Sequence, residues 1–159
     1  MIGIKTFREY ISEMVHYTNQ KLELKIDHVV LAVNESHMTK KLQAKSGVCL
    51  CVSFPDAQAT GQQDNPSDQQ QTFLFICQRI SPGQMSEEEE ILRYNDLQGI
   101  MLSLRDVIRE YGSECVDIIP EESYKIEWEY QIFGGMNGLS MGLKFTPHEI
   151  VKQHVKAYI

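Results

Sequence analysis

The stretch from Ser86 to Gly112 leaves this chain the least freedom. Ser81-Pro82-Gly83 interrupts whatever precedes it, and Ser86-Glu87-Glu88-Glu89 is a capping box. In that motif the serine hydroxyl accepts from the Glu89 N–H while the Glu89 carboxylate reaches back. The acidic run Glu87 to Glu90 also suits the positive end of a helix dipole. Tyr94, Leu97, Met101, Leu104, Ile108 and Tyr111 then recur at alternating steps of 3 and 4, with Ile100 and Val107 widening the stripe. Arg93, Asp96, Arg105, Asp106, Arg109 and Glu110 fill the other faces, and Gly112 supplies a C-terminal stop. The spacing predicts one helix over 86–111, about 37 Å long at 1.5 Å per residue. Its repeat is too short for a coiled coil, so it is expected to pack across one face of a sheet.

The rest of the chain supplies that sheet. Val48 to Phe54 and Thr72 to Ile80 are continuous β-prone runs, as expected for strands covered on both faces. Tyr124, Ile126, Trp128, Tyr130 and Ile132 alternate with polar residues, as do Leu139, Met141, Leu143 and Phe145. This predicts a hairpin with its apolar face on the core and its polar face wet, turned at Gly134 to Gly138 with Asn137-Gly138 taking the positive φ values. Glu114 to Ile119 reads as a short strand stopped by Pro120. Ile4, Phe7, Ile11 and Met14 mark an N-terminal helix, and Pro147 opens a short C-terminal one carrying Ile150, Val151 and Val155. Between Leu22 and Lys45 two readings stand: a strand reaching Val33 followed by a helix capped by Asn34, or one longer helix. The expected fold class is α+β, a mainly antiparallel sheet with the long helix across one face and short helices at both termini.

Pro55 to Gln71 stands apart: Gln, Asp, Asn, Ser, Pro and Gly, with scarcely an apolar side chain. Such a stretch cannot bury enough surface to offset its ordering entropy, so 55–71 is expected to be a mobile polar loop. It is as readily a tolerated insertion as a functional element. The remainder, residues 1–159, reads as a single domain, since 159 residues at 42% apolar content suffice for one core.

Charge and cysteine content narrow the function classes. A formal charge of −7 disfavours attraction to a phosphate backbone, and the lysine clusters 40, 41, 45 and 144, 152, 156 lack interleaved aromatics, so nucleic acid is disfavoured as a partner. No apolar run approaches the roughly 20 residues that span a bilayer, and the charged N-terminal segment lacks a signal-peptide core. Cys49, Cys51, Cys77 and Cys115 all sit in apolar runs and read as buried free thiols in a reducing cytoplasm. Cys49 and Cys51 form C-x-C without a second pair at zinc spacing.

Catalytic signals fare poorly. Gly138-Leu139-Ser140-Met141-Gly142 matches G-x-S-x-G, the nucleophile elbow of α/β-hydrolases, which requires a strand ending at the serine and a helix starting after it. Here the strand alternation runs on to Phe145. His148 and His154 project about 120° apart on a helix, unlike a zinc-binding i, i+4 pair. There is no P-loop and no G-x-G-x-x-G after a strand. The chain is therefore expected to be no enzyme, with no catalytic, metal or cofactor site.

The order of pieces from Val48 to Phe145 resembles the small α+β proteins of phage and prophage-like tails, especially tail terminator and tail-completion proteins. The stretch Pro55–Gln71, the helix Ser86–Tyr111 and the hairpin Tyr124–Phe145 carry the resemblance. It implies a wedge that assembles into a ring as a homo-oligomer or with other tail-assembly proteins, and a place in a virion or tail particle. On this reading Gln62, Asp64, Asn65 and Gln69 of the polar stretch, with Glu127 and Glu129 of the hairpin, supply protein contacts. The alternative is a monomeric cytoplasmic ligand- or partner-binding domain.

Overall fold

The computed structural model describes residues 1–60 and 67–147. The long helix is present as α3, Glu87–Tyr111, and the Ser86 hydroxyl accepts from the Glu89 N–H at 3.2 Å. Its buried stripe is Leu97, Ile100, Met101, Leu104, Val107 and Ile108, and Tyr94 packs against the core only half-buried, so full burial begins at Leu97. None of the residues from Glu87 to Asp96 is buried. Gly112 does not end the helix by left-handed backbone: its φ is −67°, and a 3-10 turn, Gly112–Glu114, follows directly. Its role is close approach, because a Cβ there would lie 2.6 Å from the Tyr10 hydroxyl of the neighbouring helix.

That neighbour is α1, Ile4–Gln20, longer than its apolar spacing suggested. The expected strand over Leu22–Asp27 is absent; this segment is a turn in which the Asn19 side chain accepts from the Ile26 N–H at 2.9 Å and donates to the Ile26 carbonyl at 3.2 Å. The strand itself is β1, His28–Ala32, and α2, Glu35–Leu42, follows with Asn34 as its cap. Strand-then-helix is thus the correct one of the two readings. Because α2 returns the chain to the same end of the sheet, β1 pairs in parallel with β2, Cys49–Ser53.

All other pairings are antiparallel. The sheet has seven strands: β3 is Asp56–Thr60, β4 Ser67–Arg79, β5 Val116–Ile118, β6 Ile126–Ile132 and β7 Met136–Pro147. Its order is β1-β2-β4-β7-β5, with β3 beside β4 and β6 beside β7, so the sheet is mixed and not purely antiparallel. The α+β class stands. One face carries α1 and α3 over Leu50, Val52, Leu74, Ile76, Leu139, Met141 and Phe145. Phe7 of α1 stacks on Phe145 at 6.2 Å. The other face is covered in part by α2 and the β6–β7 turn, over Val30, Cys49, Cys51, Cys77 and Met136. This two-sided cover explains the unbroken apolar run of β2.

Three further expectations change. The polar stretch is not irregular in its described part: 56–60 and 67–71 pair as a hairpin, Gln58 opposite Gln69 and Asp56 opposite Gln71. The backbone ladder satisfies these residues without an apolar side chain, and the Gln70 side chain accepts the Ile2 N–H at 2.8 Å. The second concerns the β6–β7 turn. Phe133, Gly134 and Gly135, with φ of 50°, 77° and 115°, make it, while Asn137 and Gly138 lie within β7. Asn137 is buried and ties the hairpin, accepting the Gln131 N–H at 2.7 Å and donating to the Ile80 carbonyl at 3.2 Å. A side chain at Gly138 would collide with the Ile76 carbonyl oxygen of β4. Third, Pro147 ends β7 opposite Val116 and does not open a helix at that position; the expected helix after it lies outside the described residues.

Candidate functional site

The G-x-S-x-G serine is disposed of by the sheet. Ser140 sits in the middle of β7, opposite Phe75 of β4 on one side and Glu127 of β6 on the other. Its hydroxyl donates to Glu129 Oε1 at 2.8 Å. The backbone is extended on both sides of it, so the strand–turn–helix of a nucleophile elbow is not formed. His148 and His154 lie outside the described residues.

The cysteines of β2 and β4 form a buried group, with Cys51 and Cys77 sulfurs 3.6 Å apart. Burial, and then the neighbouring Cys77, push the Cys49 thiol up to about 11. The bond to Cys77 and then burial raise Cys51 as well. Protonated and shut off from solvent, Cys49 and Cys51 are poor nucleophiles. Among the described residues no group of three or more His, Cys, Asp and Glu is placed to hold a metal ion. No helix among them is long and apolar enough to cross a membrane.

Of the expected contact residues, Gln62, Asp64 and Asn65 lie outside the described residues. Gln69 pairs with Gln58, the middle pair of the β3–β4 hairpin. Glu127 pairs with Lys125 at 2.8 Å, and Glu129 is the acceptor for Ser140. Gln69 and Glu127 share a sheet face, but Gln69 is six positions along β4 from Phe75, the residue level with Glu127, or roughly 20 Å. They do not form one surface.

A different surface stands out at that edge. Trp128 and Tyr130 were expected inside, yet they are 55% and 67% exposed, and Ile91 and Leu92 of α3 are 60% and 61% exposed. Two local causes combine. A register shift between Glu129 and Ile132, with Gln131 at a φ of 55°, breaks the side-chain alternation at Tyr130 before β6 rejoins β7 at Ile132. Meanwhile α3 reaches this edge only with its unburied first turns, where Tyr94 meets Trp128 edge-on at 5.7 Å. The result is a shallow cleft of about 350 Å³ lined by Ile91, Tyr94, Trp128, Glu129 and Tyr130. Burial, followed by the nearby Glu90 and Tyr130, raises the Tyr94 phenol above its usual range. Glu87 and Glu88, one helical turn before Ile91, extend the acidic rim. Sequence periodicity missed this patch because Ile91 and Leu92 fall off the apolar stripe. The alternation of β6, in turn, says nothing about whether a helix covers its apolar side.

A second apolar hollow, about 260 Å³, lies on the other sheet face between α2 and the β6–β7 turn. Phe73 and Phe75 floor it, Met38 and Phe133 wall it, and Asn34 and Ser53 are its polar margin. No protein-family model and no curated protein matches the chain.

Proposed function

We propose that this chain is a non-enzymatic structural or assembly protein that works through protein–protein contacts as a homo-oligomer, in the setting of a phage or phage-derived tail. The observation that carries the reading is the exposed Trp128, Tyr130 and Ile91 patch around Tyr94, with Glu129 at its margin. Contiguous exposed apolar surface of this kind marks contact sites, and tryptophan and tyrosine dominate the energetics of such contacts. The tail setting rests on the order of elements, and fold order alone is a weaker guide to function than a site. Gln62, Asp64 and Asn65 of the polar stretch add contact area in the same assembly, as do Gln69, Glu127 and Glu129.

Light scattering over a wide concentration range tests the reading. The expected mass is a multiple of 18.3 kDa. A mass of one chain throughout would instead favour a monomeric ligand- or partner-binding domain. The observation behind that second reading is the hollow walled by Met38 and Phe133, close to the lower size limit of small-molecule sites at roughly 300 Å³.

A further inference from the structure

The two outer edges of the sheet carry opposite charge. At the β1 edge, α1 on one side and α2 on the other flank a groove of about 640 Å³ that gathers Lys5, Arg8, Lys41 and Lys45 above Val29 and Leu31. Four of the 15 basic residues meet there on a molecule whose net charge is −7. Among the described residues, none of the ion pairs uses any of the four. Such a cluster repels itself in the free protein and is relieved by an acidic occupant. Lys41 donates to the Leu31 carbonyl at 2.7 Å, which closes part of the strand edge against addition of another strand. Contact at this edge is therefore made by side chains.

The opposite edge has the matching chemistry. Glu129 lines the aromatic cleft beside β6, Glu90 acts on the Tyr94 phenol within it, and Glu87 lies one helical turn before Ile91, while β6 and β1 lie at opposite limits of the strand order. The geometry points to a heterologous contact in which the acidic aromatic patch of one copy seats on the basic groove of the next. This rests on the homo-oligomeric reading above and adds which surfaces meet. Because the two surfaces differ, a pair of copies leaves one groove and one patch unused, and the contact propagates into a closed ring or an open filament. A two-fold pairing of patch on patch would bring two glutamate rims together, which like-charge repulsion opposes.

Charge reversal tests the contact. The variants are Lys5→Glu/Arg8→Glu in the groove and Glu87→Lys/Glu90→Lys at the patch, read by sedimentation velocity at low and high salt. Thermal melts followed by circular dichroism establish that each variant is folded, and Lys45→Glu is a second groove variant. Each reversal alone is expected to weaken self-association about tenfold or more, and added salt to weaken the wild type. Mixing the two variants, or combining both reversals in one chain, restores association to within about threefold of wild type, since opposite charges again face each other. If the wild type is oligomeric and groove reversal leaves its mass unchanged, the contact is overturned while the oligomer stands, whether or not a DNA duplex binds the groove. Loss without rescue on mixing or combination overturns the pairing too. A wild type that is monomeric throughout removes the oligomeric reading itself, and that result is in hand before any variant is compared.

Discussion

Tyr10 shows how little margin the helix pair α1–α3 leaves. Its ring is buried against Phe7, with centroids 6.5 Å apart, yet its hydroxyl has no hydrogen-bond partner among the described residues. Gly112 exists to admit that hydroxyl, as the 2.6 Å approach of a hypothetical Cβ shows. An unpartnered buried hydroxyl costs stability, so Tyr10→Phe is expected to stabilise the protein by up to about 1 kcal/mol in a urea titration at neutral pH. Burial also raises the Tyr10 phenol well above its usual value. The folded state then holds its proton more tightly than the unfolded chain does. The associated stability is whole below about pH 10 and is lost as pH rises through the folded value. Tyr10→Phe should therefore flatten the alkaline loss of stability above about pH 10; an unchanged alkaline limb would contradict this. Tyr94 and Tyr124, also raised by burial, keep part of that limb in the variant.

At the scale of elements, α3 is two helices in function. From Leu97 onward it carries the buried stripe; before that only Tyr94 packs against the core, and most of the other residues are exposed. Leu97→Ala is expected to cost about 2–5 kcal/mol by urea unfolding, while Ile91→Ala changes stability by no more than about 0.5 kcal/mol in the unassembled chain. Equal effects would contradict the division. The helix, its cap and its length were legible because capping and the 3–4 spacing are local signals, as was Asn34 at the start of α2. The parallel β1–β2 pair and the β3–β4 hairpin were not, since pairing partners are set by the whole sheet and backbone hydrogen bonds leave no mark on composition. Asn137-Gly138 misled for a related reason: the pair that favours a tight turn is used here for a buried hydrogen-bond tie and for close strand packing. The patch was half legible. Trp128 and Tyr130 had the right alternation for a buried face, but only the tertiary placement of α3 shows that their side of β6 is left open.

For the whole molecule, assembly of copies of the chain is expected to cover Trp128 and its neighbours. Trp128 is the only tryptophan in the sequence, so its fluorescence reports on this patch alone. The most direct measurement is acrylamide quenching of that emission as a function of protein concentration, alongside the sedimentation mass. In dilute monomer the exposed Trp128 is expected to show strong quenching and red-shifted emission. As the mass rises, the emission should shift to the blue and quenching should fall several-fold. An oligomer forming while Trp128 stays as accessible as in the dilute chain would contradict the account.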